Sequence, residues 1–487
     1  MRLRERAVAA VPWAFAESIL GALTGLLSTL VIGRLITPAE LGRAGAAMAV
    51  IGLVEIATAL GIGDALVRSR SIHTTLTDSA FVGLVALSGA GALLCVALAA
   101  PLAWLYQDRG VGVLLAVGSL LVPLSAINTV PVALLTRKMR IELLARRGIF
   151  SKLATLLSAA ALAYAGCGAW AILGSSFVGS VLAMLSLIGA VQRWPRLRLD
   201  RAELRALVAF GAPISLEQLL LSVTTRLFAL LFGVFHGLDA LGYLQFAQRL
   251  IDEIANVIQN FALRFGLSYF AGVERAGGNT GAAFLLGTRM VALAATPVLL
   301  GFAAVSPDAL AAVIGPRWLP ATGFIVVAAL GWSLVLPTIL VSPVLRARGV
   351  QRPLVTTSAL SCALALSACA ATANAATEAA VLASGARHLL ALPAAVWMTR
   401  RHLGIAPRRY VAAFAPPLCC ALLMAALVWA LRDAVPGMAP MRRLLLCVGA
   451  GGVVYSIAML ALDRTLLREI APLAARWLRG RAGSRVR

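Results

Sequence analysis

Charge is scarce in this chain and lysine is nearly missing. Asp, Glu, Lys and Arg make up 13% of the 487 residues, and the only lysines are Lys138 and Lys152. A water-soluble domain carries roughly twice that charged share, so a soluble enzyme or binding module is excluded. Neither lysine follows the glycine-rich pattern of a phosphate-binding loop, which excludes an ATP-driven pump subunit of that type. Ten-residue stretches of alternating hydrophobicity are missing too, and with them a membrane β-barrel. The seven cysteines fall in or beside apolar runs with no Cys-x-x-Cys pair and read as small hydrophobes in helices. The four histidines are scattered, so neither a metal site nor any cofactor is expected.

What remains is apolar. Hydrophobic residues are 61% of the chain and its mean hydropathy is +0.91. Runs of about 20 apolar residues recur, the length a helix needs to cross roughly 30 Å of hydrocarbon. The predicted fold is an all-α polytopic membrane protein with about fourteen spans. They are placed near 12–33, 44–66, 78–100, 111–135, 149–167, 170–190, 206–234, 238–262, 281–305, 322–344, 353–372, 376–398, 410–431 and 443–463. The N-terminal MRLRER resembles the basic region of a signal peptide, but the apolar run behind it is too long for a cleaved core and reads as the first span.

The net charge of +23 comes from arginine, and its placement decides its meaning. With the N-terminus in the cytoplasm, 31 basic residues fall on the cytoplasmic side. Seven fall outside: Arg34, Arg43, Arg109, Arg317, Arg432, Arg442 and Arg443. This alternation follows the positive-inside rule and accounts for the charge without nucleic acid. Both termini are thus expected in the cytoplasm. External loops are short, the longest being roughly 306–321, and show no convincing acidic catalytic pair of the kind an alternative, a membrane glycosyltransferase or polymerase, would need. No enzyme is expected.

Shifted by 200 residues, 214–251 aligns without gaps on 14–51 with ten identities, among them Glu17/Glu217, Thr24/Thr224, Gly33/Gly233 and Gly42/Gly242. An even number of spans separates the copies, so both face the same way, a parallel repeat of the kind secondary transporters use. The expected division is an N-lobe over 1–195, a C-lobe over 196–402, accessory spans over 403–464 and a basic cytoplasmic tail over 465–487. The tail reads either as an amphipathic segment on the anionic inner leaflet or as a solvated tail.

Polar side chains inside spans are costly and face protein or water. The eighth span carries Gln245, Gln248, Arg249, Asp252, Asn256, Gln259 and Asn260, whose spacing puts them on one helical face, read as lining a central cleft. If Arg249 pairs with Asp252, that surface is neutral; if Asp252 bonds elsewhere, Arg249 is free for an anion. Arg226, and Arg387 with His388, are further candidates inside spans. Glu17 sits about one turn inside its span, either paired with Arg4 or Arg6 or, with its repeat partner Glu217, coupling an ion to transport.

Several stretches resemble one family. GRLITPAELG (33–42) is similar to its "ARLLTPEDFG" turn, and ALGIGDALVR (59–68) to its "DLGLGSALI" segment. LLTRKMRIELLARRGIFSKL (134–153), GAWAILGS (168–175), LGYLQFAQRL (241–250), GPRWLPAT (315–322) and VLRARGVQRP (344–353) fit as well. The resemblance is to the Wzx-type oligosaccharide flippases of the multidrug/oligosaccharidyl-lipid/polysaccharide exporter superfamily. It implies two six-helix lobes around a cavity plus two C-terminal helices. It also implies a polyprenyl-diphosphate-linked oligosaccharide as substrate in a bacterial cytoplasmic (inner) membrane, with polysaccharide polymerase and export proteins as partners alongside the phospholipid bilayer. Arg249 fits the family's eighth-span arginine. One departure stands out: the family's seventh-span Asp is Phe228 here. A drug or cation extruder of the same superfamily is the alternative, and it calls for an acidic, aromatic cleft.

Overall fold

The computed structural model describes residues 3–69, 71–188, 194–275, 280–347, 350, 352–375 and 377–462. The side chains of Arg4, Arg6 and Glu217 lie outside the described residues, as does the whole basic tail. The helices are α1 (Leu3–Leu35), α2 (Pro38–Ala59), α3 (Ile62–Arg68), α4 (Thr74–Leu105), α5 (Arg109–Gly118), α6 (Leu121–Arg137), α7 (Ile141–Tyr164), α8 (Ala169–Ile188) and α9 (Arg201–Arg275). They continue with α10 (Thr280–Ala309), α11 (Ala321–Val335), α12 (Val341–Ala347), α13 (Arg352–Ala371), α14 (Thr377–Leu389), α15 (Ala391–Leu403), α16 (Pro407–Ala434) and α17 (Pro440–Leu462).

Among the described residues, twelve helical segments are long and apolar enough to cross a membrane. One of them, Gln218–Asn260, holds the expected seventh and eighth spans together. α7 joins the set by position although Glu142, Arg146, Arg147 and Lys152 dilute its hydropathy. The expected fourteen is reached among the described residues only by taking the two arms of α9 separately and adding α7.

Several spans are broken, each for a local reason. Leu60 and Gly61, both at positive φ (44° and 61°), separate α2 from α3. A turn at 119–120 splits the fourth span into α5 and α6. Pro337, in a short 3-10 turn, follows α11. The stretch 306–321, expected as an external loop, is folded instead: α10 runs to Ala309, a π-helical turn spans Leu310–Ile314 and a 3-10 turn spans Pro316–Trp318. Trp318 is fully buried, and its indole N–H donates to the Gly33 carbonyl at the end of α1. Of the residues that look like breakers in sequence, Pro307 is carried within α10 and Pro316 opens the 3-10 turn, while Gly315, at φ 128°, does interrupt the helix.

The chain divides into two compact units: Met1–Asn260 with Val313–Ala328 and Gln351–Ala391, and Phe261–Ala312 with Ala329–Val350 and Leu392–Arg487. In the second, α10 packs on α16 and α17. Thr296 donates to the Pro417 carbonyl at 3.1 Å, and Tyr455 to that of Leu293 at 3.2 Å. Asp308, 2% exposed, pairs with Arg443 at 2.8 Å and Arg432 at 3.2 Å. A carboxylate this buried persists because it is paired.

In the first unit the two copies of the repeat turn at equivalent positions by different means. After α1, Thr37 caps α2: it accepts from the Glu40 N–H at 3.4 Å, while the Glu40 carboxylate accepts from the Thr37 N–H at 3.0 Å. This reciprocal box, with Pro38 in the first turn, is worth about 1 kcal/mol. Two hundred residues on, Gly237 (φ 86°, ψ 172°) breaks α9 into two arms. The turns then meet. A methyl group on Gly42 would strike the carbonyl oxygen of Leu238, and one on Gly242 would strike that of Pro38. Positions 38 and 238, like 42 and 242, are repeat partners, so each copy makes the same contact on the other.

Candidate functional site

The polar stripe of α9 lies in the first unit, against α2. Such a face can sit against a helix only where that helix leaves room. A side chain at Gly45 would overlap the Gln245 amide, and one at Gly52 would overlap the Arg226 guanidinium. Arg226 Nη1 donates to the Met48 carbonyl at 3.0 Å. Its opposite charge is Glu55, on the next turn of α2.

These residues surround a cavity of about 300 Å³. Arg226 comes from the first arm of α9, Gln245, Gln248, Arg249 and Asp252 from the second, and Arg387 from α14. Gly45, Met48 and Ala49 close it on the α2 side, and no lining residue is aromatic. Six of the nine cavity residues expected from sequence are thus brought together. Asn256, Gln259 and Asn260 are not among its lining residues, and Asn256 and Asn260 are exposed. The reason is length: Gln245 to Asn260 is a helical rise of about 22 Å, longer than a cavity of this size.

The expected choice for Arg249 resolves otherwise. Asp252 answers the charge of Arg387, and Arg249 faces Glu253, a residue the sequence reading passed over. Glu253 also faces Lys152 of α7, and its carboxylate packs at Gly25 of α1. Arg387 Nε further donates to His388 Nε2 at 3.0 Å. Each arginine at the cavity therefore has a carboxylate neighbour. A guanidinium carries five N–H donors, so one carboxylate does not exhaust it.

Glu17 is half-buried, with its carboxylate against Gly148 of α7 and its charge facing Arg147. Arg147 Nε also donates to the Ala183 carbonyl of α8 at 3.3 Å. Glu17 thus belongs to the contact of α1 with α7. At the family's Asp position, Phe228 is buried and stacks on Phe232 at 5.9 Å, with Phe324 edge-on to Phe232 at 5.7 Å. Apolar core replaces a charge there.

A second cavity, about 670 Å³, lies beside the first and shares Met48 with it. Its walls carry Glu55, Asn128, Thr129, Arg147, Ser151, Ser176, Ser180, Ser215 and Gln218. Sequence reasoning missed these residues. Glu55 and Asp64, the two charged residues of the apolar run 44–66, are the ones with a visible signal.

Apolar helices of membrane-spanning length thus carry a guanidinium-lined cavity in the first unit. Other proteins share the fold. It is similar to that of "Lipid II flippase MurJ, inward closed conformation", with a TM-score of 0.77 at 12% identity over 94% of this chain and 100% of that one. It is also similar to an inward-facing multidrug resistance MATE family transporter of the MOP superfamily, with a TM-score of 0.58 at 14% identity over 83% and 99%. The chain belongs to the polysaccharide biosynthesis protein family, whose model matches residues 31–323. Across 455 residues it is 24% identical to the succinoglycan biosynthesis transport protein ExoT of Rhizobium meliloti (strain 1021), covering 91% of this chain and 90% of that one. Family and apolar helices together make it a multi-pass membrane protein of polysaccharide biosynthesis.

Proposed function

We propose that the protein flips a polyprenyl-diphosphate-linked oligosaccharide across the cytoplasmic membrane by alternating access, with both termini in the cytoplasm. The observation that carries this reading is the convergence of Arg226, Arg249 and Arg387 from three helical segments on one cavity inside a membrane bundle. A sugar diphosphate crossing hydrocarbon loses its hydrogen bonds to water, at several kcal/mol for each polar group left unpaired. Guanidinium and amide donors replace that water, and guanidinium pairs well with phosphate oxygens. The tail needs no such help and stays in lipid. The arginines and the lack of aromatic lining argue against the extruder of small cations.

The test is the leaflet on which substrate collects. In a strain lacking the gene, lipid-linked oligosaccharide is expected to accumulate on the cytoplasmic leaflet, out of reach of externally added glycan-modifying enzymes. Accumulation on the outer leaflet would end the flippase reading.

A further inference from the structure

The two cavities differ in the hydrogen-bonding sense of their walls. The smaller one offers donors: three guanidiniums and the amides of Gln245 and Gln248. The larger one offers acceptors. Several of its hydroxyls already spend their single proton on backbone carbonyls: Thr129 to Ser125 at 3.3 Å, Ser151 to Gly179 at 2.9 Å and Ser176 to Ile172 at 2.9 Å. What such a hydroxyl has left is its oxygen lone pairs. Glu55 adds carboxylate oxygens.

Asn128 points the same way independently. It is 6% exposed, and its amide N–H₂ donates to the Leu124 carbonyl at 3.1 Å, but its Oδ1 is buried without any hydrogen-bond donor. An orphaned buried acceptor costs about 1–3 kcal/mol, and because Asn128 lines this cavity, a small rotation of its amide would offer the oxygen to an O–H or N–H of a ligand. Positive charge does not dominate this cavity as it does its neighbour: Arg147 is the one guanidinium in its described lining, and it stands with two carboxylates, Glu55 and Asp64, against three guanidiniums and one carboxylate in the smaller cavity. The wall suits a ligand that is uncharged and rich in O–H donors.

We propose that the larger cavity is the glycan subsite, built for a neutral, polyhydroxylated oligosaccharide whose diphosphate sits in the arginine cavity beyond Met48. This rests on the flippase reading and adds to it the chemistry of the sugar. A glycan bearing carboxylates near its diphosphate end is disfavoured, because carboxylates bring acceptors to acceptors and negative charge to Glu55 and Asp64.

The experiment measures binding to the full chain in lipid nanodiscs. Three probes are used: undecaprenyl diphosphate, the same lipid carrying a neutral hexose trisaccharide, and the lipid carrying a hexuronate trisaccharide. The neutral glycan is expected to tighten binding about tenfold over the bare lipid, the worth of one or two net hydrogen bonds, and the hexuronate version to lose that gain. Asn128→Leu and Ser180→Leu are each expected to bring the neutral preference close to unity while leaving bare-lipid affinity unchanged. Arg249→Gln is expected to weaken both lipids by the same factor. Should Asn128→Leu fail to fold by its thermal transition, Thr129→Val with Ser180→Ala carries the comparison. Equal binding of bare and glycosylated lipid by the wild type, or a preference that survives the cavity variants, overturns the glycan subsite alone. A wild type that binds neither lipid overturns the flippase reading with it.

Discussion

The two copies of the repeat contribute unequally to the arginine cavity, and the inequality is positional. Gly45, Met48, Ala49 and Gly52 of α2 stand 200 residues before Gln245, Gln248, Arg249 and Asp252 of α9. All but Gly52 line the cavity, and Gly52 holds the Arg226 guanidinium. One copy has become room and the other has become chemistry. Polar groups in a bilayer need space as much as partners, and here a duplicated hairpin supplies both.

The largest effect is expected from filling the room. Gly52→Val places a branched side chain where the Arg226 guanidinium lies, in a packed wall where such insertions cost about 1–3 kcal/mol. Export is expected to fall to background while membrane insertion persists, read by surface polysaccharide and by protein level. Next comes the chemistry: Arg249→Ala removes charge-assisted hydrogen bonds worth about 1.5–3 kcal/mol. Export is expected to drop at least about tenfold with insertion intact, and unchanged export would take Arg249 out of the site. If both copies close on one another alike, Gly42→Val and Gly242→Val will impair transport to the same degree, since each drives a side chain into a backbone carbonyl. An effect confined to one of them would break the equivalence. Smallest is Thr37→Ala, which removes the cap of α2 and is expected to cost about 1 kcal/mol of stability, seen as a slightly lower melting temperature with transport retained.

Most of the fold was legible because hydrophobic length announces a span. The α9 stripe was legible because its polar residues crowd one helical face. Glu55, Lys152, Glu253 and Asn128 were not, since Glu55 and Lys152 gain their meaning from residues of α9 far along the chain, and Glu253 and Asn128 from helices packed against them. Lys152 meets Glu253 through α1 glycines that carry no signal of their own. The orphaned Asn128 oxygen is likewise invisible until every nearby donor is accounted for. The arginines read as external follow the same lesson. Arg43 pairs with Asp108 at 2.6 Å, and Arg432 and Arg443 share Asp308. Their charges are matched by acids the loop count did not weigh.

The abutment of Gly42 on Leu238 and Gly242 on Pro38 has a mechanical meaning. At these two points it presses bare main chain on main chain, while Gln245 and Arg226 lodge against α2 further along. Such a seam holds by van der Waals touch and weak Cα–H···O attraction, about 0.5–1 kcal/mol per contact. Thermal motion can part it, and the alternating access proposed above would gain from a latch this light.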